Sequence, residues 1–154
     1  MNATLKHFPG LGRTRSNTDL GAVTVAASAA ALRADLEPYR RCGSRARLVM
    51  LSNATYPALD PARPAVLSRR VVTGLLRGEL GFGGVTITDT LAAPGVASPA
   101  AAVRATRAGV DLLLYVDERS SARGYRAVLR ALRAGQLSGA QVLASAARID
   151  SLAR

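Results

Sequence analysis

The clearest chemical signal in the sequence is a carboxylate at the end of a short strand. Residues 85–88 are a β-branched run with the composition of a buried strand, and the glycine-rich turn 81–84 precedes them. Asp89 follows directly. In parallel α/β proteins, active sites are usually built at the carboxyl ends of strands. Asp89 is therefore either a functional carboxylate or a loop residue that accepts hydrogen bonds from backbone amides.

A second pattern with chemical potential is Gly10-Leu11-Gly12, which follows a predicted strand as a phosphate-binding turn would. It lacks the third glycine of the dinucleotide fingerprint, and no helix is predicted promptly after it. We therefore expect no nucleotide cofactor.

The charge and composition narrow the classes of partner. The formal net charge is +11, but the arginines are scattered along helical patterns and aromatic residues make up 4% of the chain. This distribution favours solvated helix faces over a nucleic-acid footprint. The chain has one histidine and one cysteine, so we expect neither a structural zinc site nor an internal disulfide.

No stretch of the sequence predicts a membrane span or a leader. The longest apolar run, residues 23–32, is interrupted by Thr24 and Ser28 and is too short to cross a bilayer. No basic-then-apolar pattern opens the chain. We expect the chain as given to be soluble and cytoplasmic, with any export signal of a longer parent lying before Met1.

The elements that must position Asp89 alternate along the sequence. Strands are predicted over residues 3–8, 47–52, 85–88 and 110–116, and residues 53–64 are expected to be a loop. Helices are predicted to begin near Ser28, Ser68 and Ser98, and to cover residues 120–134 and 138–153. The alternation predicts an α/β fold with a parallel sheet of four βα units, whose chemistry lies at the carboxyl ends of the strands.

Several stretches carry a family resemblance. Lys6-His7-Phe8-Pro9-Gly10-Leu11-Gly12 resembles the Lys-His-Phe-Pro-Gly motif of glycoside hydrolase family 3, in particular its bacterial β-N-acetylhexosaminidases. Residues 56–60 and 64–71 resemble the segment before the family's seventh barrel strand. Residues 75–84 with Thr88-Asp89 resemble the segment that ends in the catalytic nucleophile, and residues 108–114 resemble the last strand. The matches span essentially the whole chain in the family's order.

The resemblance implies a fold that is half of a larger one. The family's catalytic domain is a (β/α)8 TIM barrel, for which about 250 residues is usual. The matched motifs belong to strands five to eight, so residues 1–154 are expected to form one partial catalytic domain, the C-terminal half of the barrel. Four strands cannot close a barrel, so we expect either self-association or a missing N-terminal half supplied by other residues. Apolar residues that fill a barrel interior, such as Leu5, Val49 and Leu113, are then expected to lack partners.

The resemblance also assigns roles to individual residues. Asp89 is the implied nucleophile of a retaining glycosidase, and Lys6 and His7 are the implied sugar-binding residues, with no metal or organic cofactor. The family's acid/base is an Asp-x-His dyad in the loop after Lys-His-Phe-Pro-Gly, where this chain has Asn17-Thr18-Asp19. Asp19 is therefore either a substitute acid or part of an ordinary turn.

These assignments predict a glycoside hydrolase that cleaves terminal β-N-acetylhexosaminides, with peptidoglycan fragments as the family's usual substrate. We expect truncation and the altered dyad to impair its activity. The alternative from a different class is a catalytically inactive basic half-barrel that only binds carbohydrate or polyanions.

Overall fold

The centre of the molecule is a parallel sheet flanked by helices. The computed structural model describes residues 2–43 and 45–153. Along the chain the regular elements are β1 (Thr4–Phe8), α1 (Ala29–Asp35), α2 (Glu37–Cys42), β2 (Leu48–Leu51), β3 (Thr55–Tyr56), β4 (Asp60–Pro64), a 3-10 turn (Ala65–Leu67), a π-helix (Arg70–Glu79), β5 (Val85–Thr88), α3 (Ala101–Ala108), α4 (Glu118–Arg133), α5 (Gly139–Asp150) and a final 3-10 turn (Ser151–Ala153). The π-helix Arg70–Glu79 is called the wide helix below.

Three strands form the sheet, in the order β1-β2-β5, and both pairings are parallel. The register of β2 on β5 is regular from Leu48↔Val85 to Leu51↔Thr88. The register of β1 on β2 shifts between Leu5 and Phe8. The predicted α/β fold with a parallel sheet and helices is confirmed.

The predicted fourth strand is not a regular strand. Residues 110–114 run beside β5 but share with it a single parallel bridge, Ile87↔Leu112. The backbone N–H of Leu114 donates to the Thr88 hydroxyl at 2.8 Å. This side-chain acceptor takes the place of a backbone carbonyl and interrupts the ladder. The described chain therefore has three regular parallel strands and one bridged segment.

The expected loop over residues 53–64 contains a small hairpin. β3 and β4 pair antiparallel, with Thr55 opposite Pro64 and Tyr56 opposite Asp60. Prolines at 57, 61 and 64 indicated a loop, but proline is tolerated on edge strands, where no partner needs its missing N–H.

Local capping signals gave most of the helix starts correctly. Ser28 caps α1 through its hydroxyl, as predicted. The helix predicted from residue 138 is α5, and the Ser138 hydroxyl caps it. Pro38 stands in the first turn of a second helix, α2, where the sequence pattern had predicted only one helix. The helix expected from Ser98 begins as α3 at Ala101. The wide helix ends with Leu80 N–H donating to Leu75 O, a five-residue spacing.

The helices pack over one face of the sheet. Val49, which a barrel-interior role would have left without partners, is 1% exposed in the hydrophobic core, and Leu5 and Leu113 pack against that core. On the other face of the sheet, Leu48, Met50 and Ile87 are half-buried, whereas Val85, which pairs with Leu48, is fully buried. No helix among the described residues is long and apolar enough to cross a membrane.

A buried carboxylate ties the elements together at the amino end of the sheet. The Asp111 side chain is fully buried; its Oδ2 lies 2.6 Å from Arg77 of the wide helix and its Oδ1 lies 2.7 Å from Arg148 of α5. Thr86 N–H of β5 and the Ser145 hydroxyl of α5 also donate to it. Burial alone would raise the pKa of Asp111. The hydrogen bonds from Arg148, Thr86 and Ser145 and the charge of Arg77 outweigh burial and lower it.

We predict that Asp111→Ala lowers the free energy of unfolding by about 3–5 kcal/mol, because it leaves two partly buried arginine partners without their counter-charge. The folded-state pKa of Asp111 lies below its unfolded value. The stabilisation is therefore complete above the unfolded pKa and is lost as the pH falls through the folded one. Urea denaturation at pH 7 and in acid measures both effects. The control is Asp117→Ala, which removes an exposed helix cap. Equal losses in the two variants would contradict this role for Asp111.

Candidate functional site

Two of the predicted site residues meet at the carboxyl edge of the sheet. His7 lies near the end of β1, and Asp89 directly follows β5. β2 lies between them, and Leu51 O at its end accepts a hydrogen bond from Asp89 N at 3.2 Å. His7 Nε2 lies 3.7 Å from Asp89 Oδ2, and the two side chains are 24% and 15% exposed. Together they form a half-buried imidazole–carboxylate pair.

The two oxygens of the Asp89 carboxylate have different surroundings. Oδ1 accepts a hydrogen bond from Thr90 N at 2.7 Å, and Oδ2 faces His7. The interpretation of Asp89 as a loop residue predicted a hydrogen bond from a backbone amide, and the amide of Thr90 provides one. It restrains one oxygen and leaves the other directed at the imidazole.

The charge state of His7 is set by opposing effects. Burial lowers the pKa of His7, the Asp89 carboxylate raises it, the Lys6 ammonium lowers it, and the Asp19 carboxylate raises it. The net direction is downward, so the imidazole is neutral at pH 7. A neutral imidazole offers one donor and one acceptor, which suits hydrogen bonds to hydroxyl or amide groups.

The other two predicted residues act on this pair from exposed positions. The side chains of Lys6 and Asp19 are exposed, and their charges reach His7. The backbone around Asp19 is a turn: Asp19 N donates to Asn17 Oδ1 at 2.8 Å, and Leu20 N donates to Asn17 O at 3.2 Å. The turn expected from composition is therefore present, and it leaves the Asp19 carboxylate on the exposed side.

A buried tyrosine, which has no role in the sequence analysis, holds the residues that follow His7 in place. Tyr56 is 1% exposed, and its hydroxyl donates to Gly10 O at 3.2 Å and lies 3.0 Å from the Ser52 hydroxyl. Burial raises the pKa of Tyr56 to about 12. Ser52 N donates to Phe8 O at 2.8 Å. These bonds hold the residues after His7 against the end of β2. The available signal was a tyrosine in an apolar segment, since a buried tyrosine hydroxyl usually finds a partner.

Asn53 is a second site residue without a role in the sequence analysis. It follows β2, is 3% exposed, and its Nδ2 donates to Thr90 O at 2.9 Å. Its Oδ1 is buried and has no hydrogen-bond partner among the described residues. Within that same part of the chain, no three His, Cys, Asp or Glu side chains are grouped so that they could hold a metal ion.

We predict that Asp89→Asn lowers the pKa of His7 further, because the carboxylate that raises it becomes neutral. Because the chain has one histidine, its ring resonances report this pKa directly in an NMR titration. Asp117→Asn, at the cap of α4, is the matched control and should leave the titration unchanged. An unchanged His7 pKa in Asp89→Asn would contradict the pairing.

The sequence matches a known protein family over nearly its whole length. The pattern of the family described as "Glycosyl hydrolase family 3 N terminal domain" matches residues 1–152. The chain is 38% identical to an uncharacterized secreted glycosyl hydrolase of Arthroderma benhamiae, covering 97% of this chain and 45% of that protein. It is 36% identical to a beta-hexosaminidase of Pseudomonas aeruginosa, covering 86% of this chain and 41% of that protein. The chain therefore spans less than half the length of these relatives.

The fold has matching solved structures. A glycoside hydrolase family 3 beta-N-acetylglucosaminidase from Paenibacillus sp. superposes with a TM-score of 0.93 at 34% identity, covering 98% of this chain and 30% of that one. A beta-N-acetylhexosaminidase from Beutenbergia cavernae superposes with a TM-score of 0.88 at 36% identity, covering 97% of this chain and 46% of that one.

Proposed function

Because the chain belongs to the glycosyl hydrolase family 3 N-terminal domain family, we propose that it carries the nucleophile of a retaining β-N-acetylhexosaminidase. The observation that carries the proposal is the His7–Asp89 pair, 3.7 Å apart at the carboxyl edge of a parallel sheet. This is the edge at which α/β enzymes place their catalytic groups. The beta-hexosaminidases among the relatives support the choice of substrate class, terminal β-N-acetylhexosaminides.

The proposed architecture is the C-terminal half of a (β/α)8 barrel, with residues 1–154 as one partial catalytic domain. Two observations support it. The sheet continues past β5 through the bridged segment 110–114 in the parallel sense that a barrel requires. The chain also covers less than half of the relatives' length, so the catalytic domain of those proteins has room for further strands.

The proposed chemistry assigns one role to each group. Asp89 Oδ2 attacks the anomeric carbon while the leaving oxygen takes a proton from the acid, which gives a covalent glycosyl-enzyme. Water then attacks the same carbon, gives its proton to the conjugate base, and releases Asp89 with retention of configuration. His7, neutral and half-buried, and Lys6, exposed and cationic, bind hydroxyl or acetamido oxygens of the sugar. No step requires a metal or an organic cofactor.

We assign the acid/base role to Asp19. Its loop follows the strand that carries His7, and its charge acts on the His7 imidazole, which lies beside Asp89. A carboxylic acid can protonate a leaving group when its surroundings favour the protonated form. The competing interpretation is that Asn17-Thr18-Asp19 is only a turn. The hydrogen bond from Asp19 N to Asn17 Oδ1 supports that interpretation as well as the charge of Asp19 supports the acid.

A second candidate function is an inactive module that binds carbohydrate or polyanions. It is favoured by a cleft of about 560 Å³ between residues 91–99 and α4, whose lining residues include Arg123, Arg126 and Arg130. Arginine forks suit anionic groups. In this interpretation the basic surface, rather than Asp89, accounts for binding.

We predict that Asp89→Asn, introduced into the protein as its gene encodes it, reduces turnover of an aryl β-N-acetylglucosaminide by at least about 10³-fold. The change is close to isosteric, so the fold should be retained. Asp117→Asn is the matched control. Normal turnover in the Asp89 variant, with the control also active, would reject Asp89 as the nucleophile. Absence of turnover in the unsubstituted protein would instead favour the binding module.

The role of Asp19 predicts a dependence on the leaving group. Asp19→Ala should slow substrates with poor leaving groups far more than activated aryl glycosides, which depart with little protonation. Asn17→Asp combined with Asp19→His restores the family's dyad and should raise activity. Uniform losses across leaving groups would assign Asn17-Thr18-Asp19 a structural role alone.

The half-barrel proposal predicts the behaviour of the isolated 154-residue chain. Leu48, Met50 and Ile87 are only half-buried on the sheet face away from the core, and β1 pairs with β2 alone among the described strands. Such faces and edges favour association. Sedimentation should show self-associated chains, or dye binding should show a partly molten state, with little turnover of the aryl glycoside. A compact monomer with high turnover would contradict the proposal.

A further inference from the structure

We propose that Asn53 is a positioning residue that orients the Asp89 carboxylate through the backbone of Thr90. The importance of Asp89 in this inference rests on the proposed function. The contacts between Asn53, Thr90 and Asp89 are independent of that function. Asn53 follows β2, which lies between the strands that carry His7 and Asp89. It is thus placed at the one strand end from which a side chain can reach both neighbours.

The chain of contacts runs through a single residue. Asn53 Nδ2 donates to Thr90 O at 2.9 Å, and Thr90 N donates to Asp89 Oδ1 at 2.7 Å. Thr90 O also accepts a weaker bond from Ala93 N at 3.3 Å. Thr90 is therefore held by Asn53 at its carbonyl, while its amide fixes the rotation of the Asp89 carboxylate. That rotation sets the distance between Asp89 Oδ2 and His7 Nε2.

The surroundings of Asn53 do not suit a residue selected for stability. Its side chain is buried, and its Oδ1 has no partner among the described residues. A buried polar atom without a partner is unfavourable, and an apolar residue of the same volume would remove that cost. Unsatisfied groups of this kind concentrate where a site's geometry outweighs local stability. The amide that holds Thr90 supplies such a reason here.

The test compares two substitutions of Asn53 in the protein as its gene encodes it. Asn53→Leu keeps the branched shape of the side chain, with larger methyl groups in place of the amide, and removes both the donor and the unpartnered oxygen, whereas Asn53→Ala removes the side chain beyond Cβ. The first measurement is the NMR titration of His7, whose ring resonance is identified by its loss in His7→Gln. Asp89, Lys6 and Asp19 are the charged groups that act on His7, and only Asp89 is reached through Thr90.

We expect both Asn53 variants to move the His7 pKa downward, in the same direction as Asp89→Asn, because the Asp89 carboxylate is no longer held toward the imidazole. With an aryl β-N-acetylglucosaminide we expect kcat to fall roughly 10- to 100-fold and KM to change by less than about threefold. The matched control is Ser145→Ala, a buried polar residue that donates to Asp111 at the amino end of the sheet. It should lower the melting temperature and leave the His7 titration unchanged.

An unchanged His7 titration in both Asn53 variants, when Asp89→Asn shifts it, would overturn the inference. Loss of folding in both variants, with Ser145→Ala folded, would also overturn it by making Asn53 a structural residue. Neither result bears on whether Asp89 is the nucleophile. Normal turnover in Asp89→Asn would instead reject the proposed function and leave the Asn53–Thr90–Asp89 geometry standing.

Discussion

Parallel pairing on both sides of β2 is the constraint on which the site depends. Asp89 N donates to Leu51 O, and Ser52 N donates to Phe8 O, so β2 sets the height at which β1 and β5 end. His7 and Asp89 are 82 positions apart in sequence, yet this pairing places their side chains 3.7 Å apart. The proximity of the two residues is determined by the pairing of their strands with β2, and the loops then set the orientation of the side chains.

Stability and chemistry are concentrated at opposite ends of this sheet. At the amino end, the buried Asp111 carboxylate joins the wide helix, β5 and α5 through Arg77, Thr86 and Arg148. At the carboxyl end, the carboxylate of Asp89 is only partly buried and has one backbone donor. A fully satisfied carboxylate rigidifies a fold, whereas a partly satisfied one remains able to react. This division is expected of barrel-type enzymes, in which the carboxyl ends of the strands carry the catalytic residues and the amino ends contribute to stability.

The sequence was informative wherever a signal is local. The β-branched run before Asp89 predicted β5, and Ser28 predicted the cap of α1. The roles of Tyr56 and Asn53 could not be predicted, because their partners, Gly10 O and Thr90 O, are 46 and 37 positions away along the chain. The irregular segment beside β5 was missed for the same reason. Its ladder is interrupted by the hydroxyl of Thr88, which a strand pattern does not reveal.

The most consequential wrong prediction was the sheet face on which Val49 lies. Successive side chains in a strand point to opposite faces, so a shift of one position exchanges the core face with the open face. Val49 lies in the core, whereas Leu48 and Met50, on either side of it, are half-buried on the other face with Ile87. The partly exposed apolar surface is therefore formed by Leu48 and Met50, the sequence neighbours of Val49, and not by Val49 itself. In a closed barrel that face is the filled interior. Half-burial of Leu48, Met50 and Ile87 on that face, beside the fully buried Val85, is the packing observation that supports the proposed half-barrel.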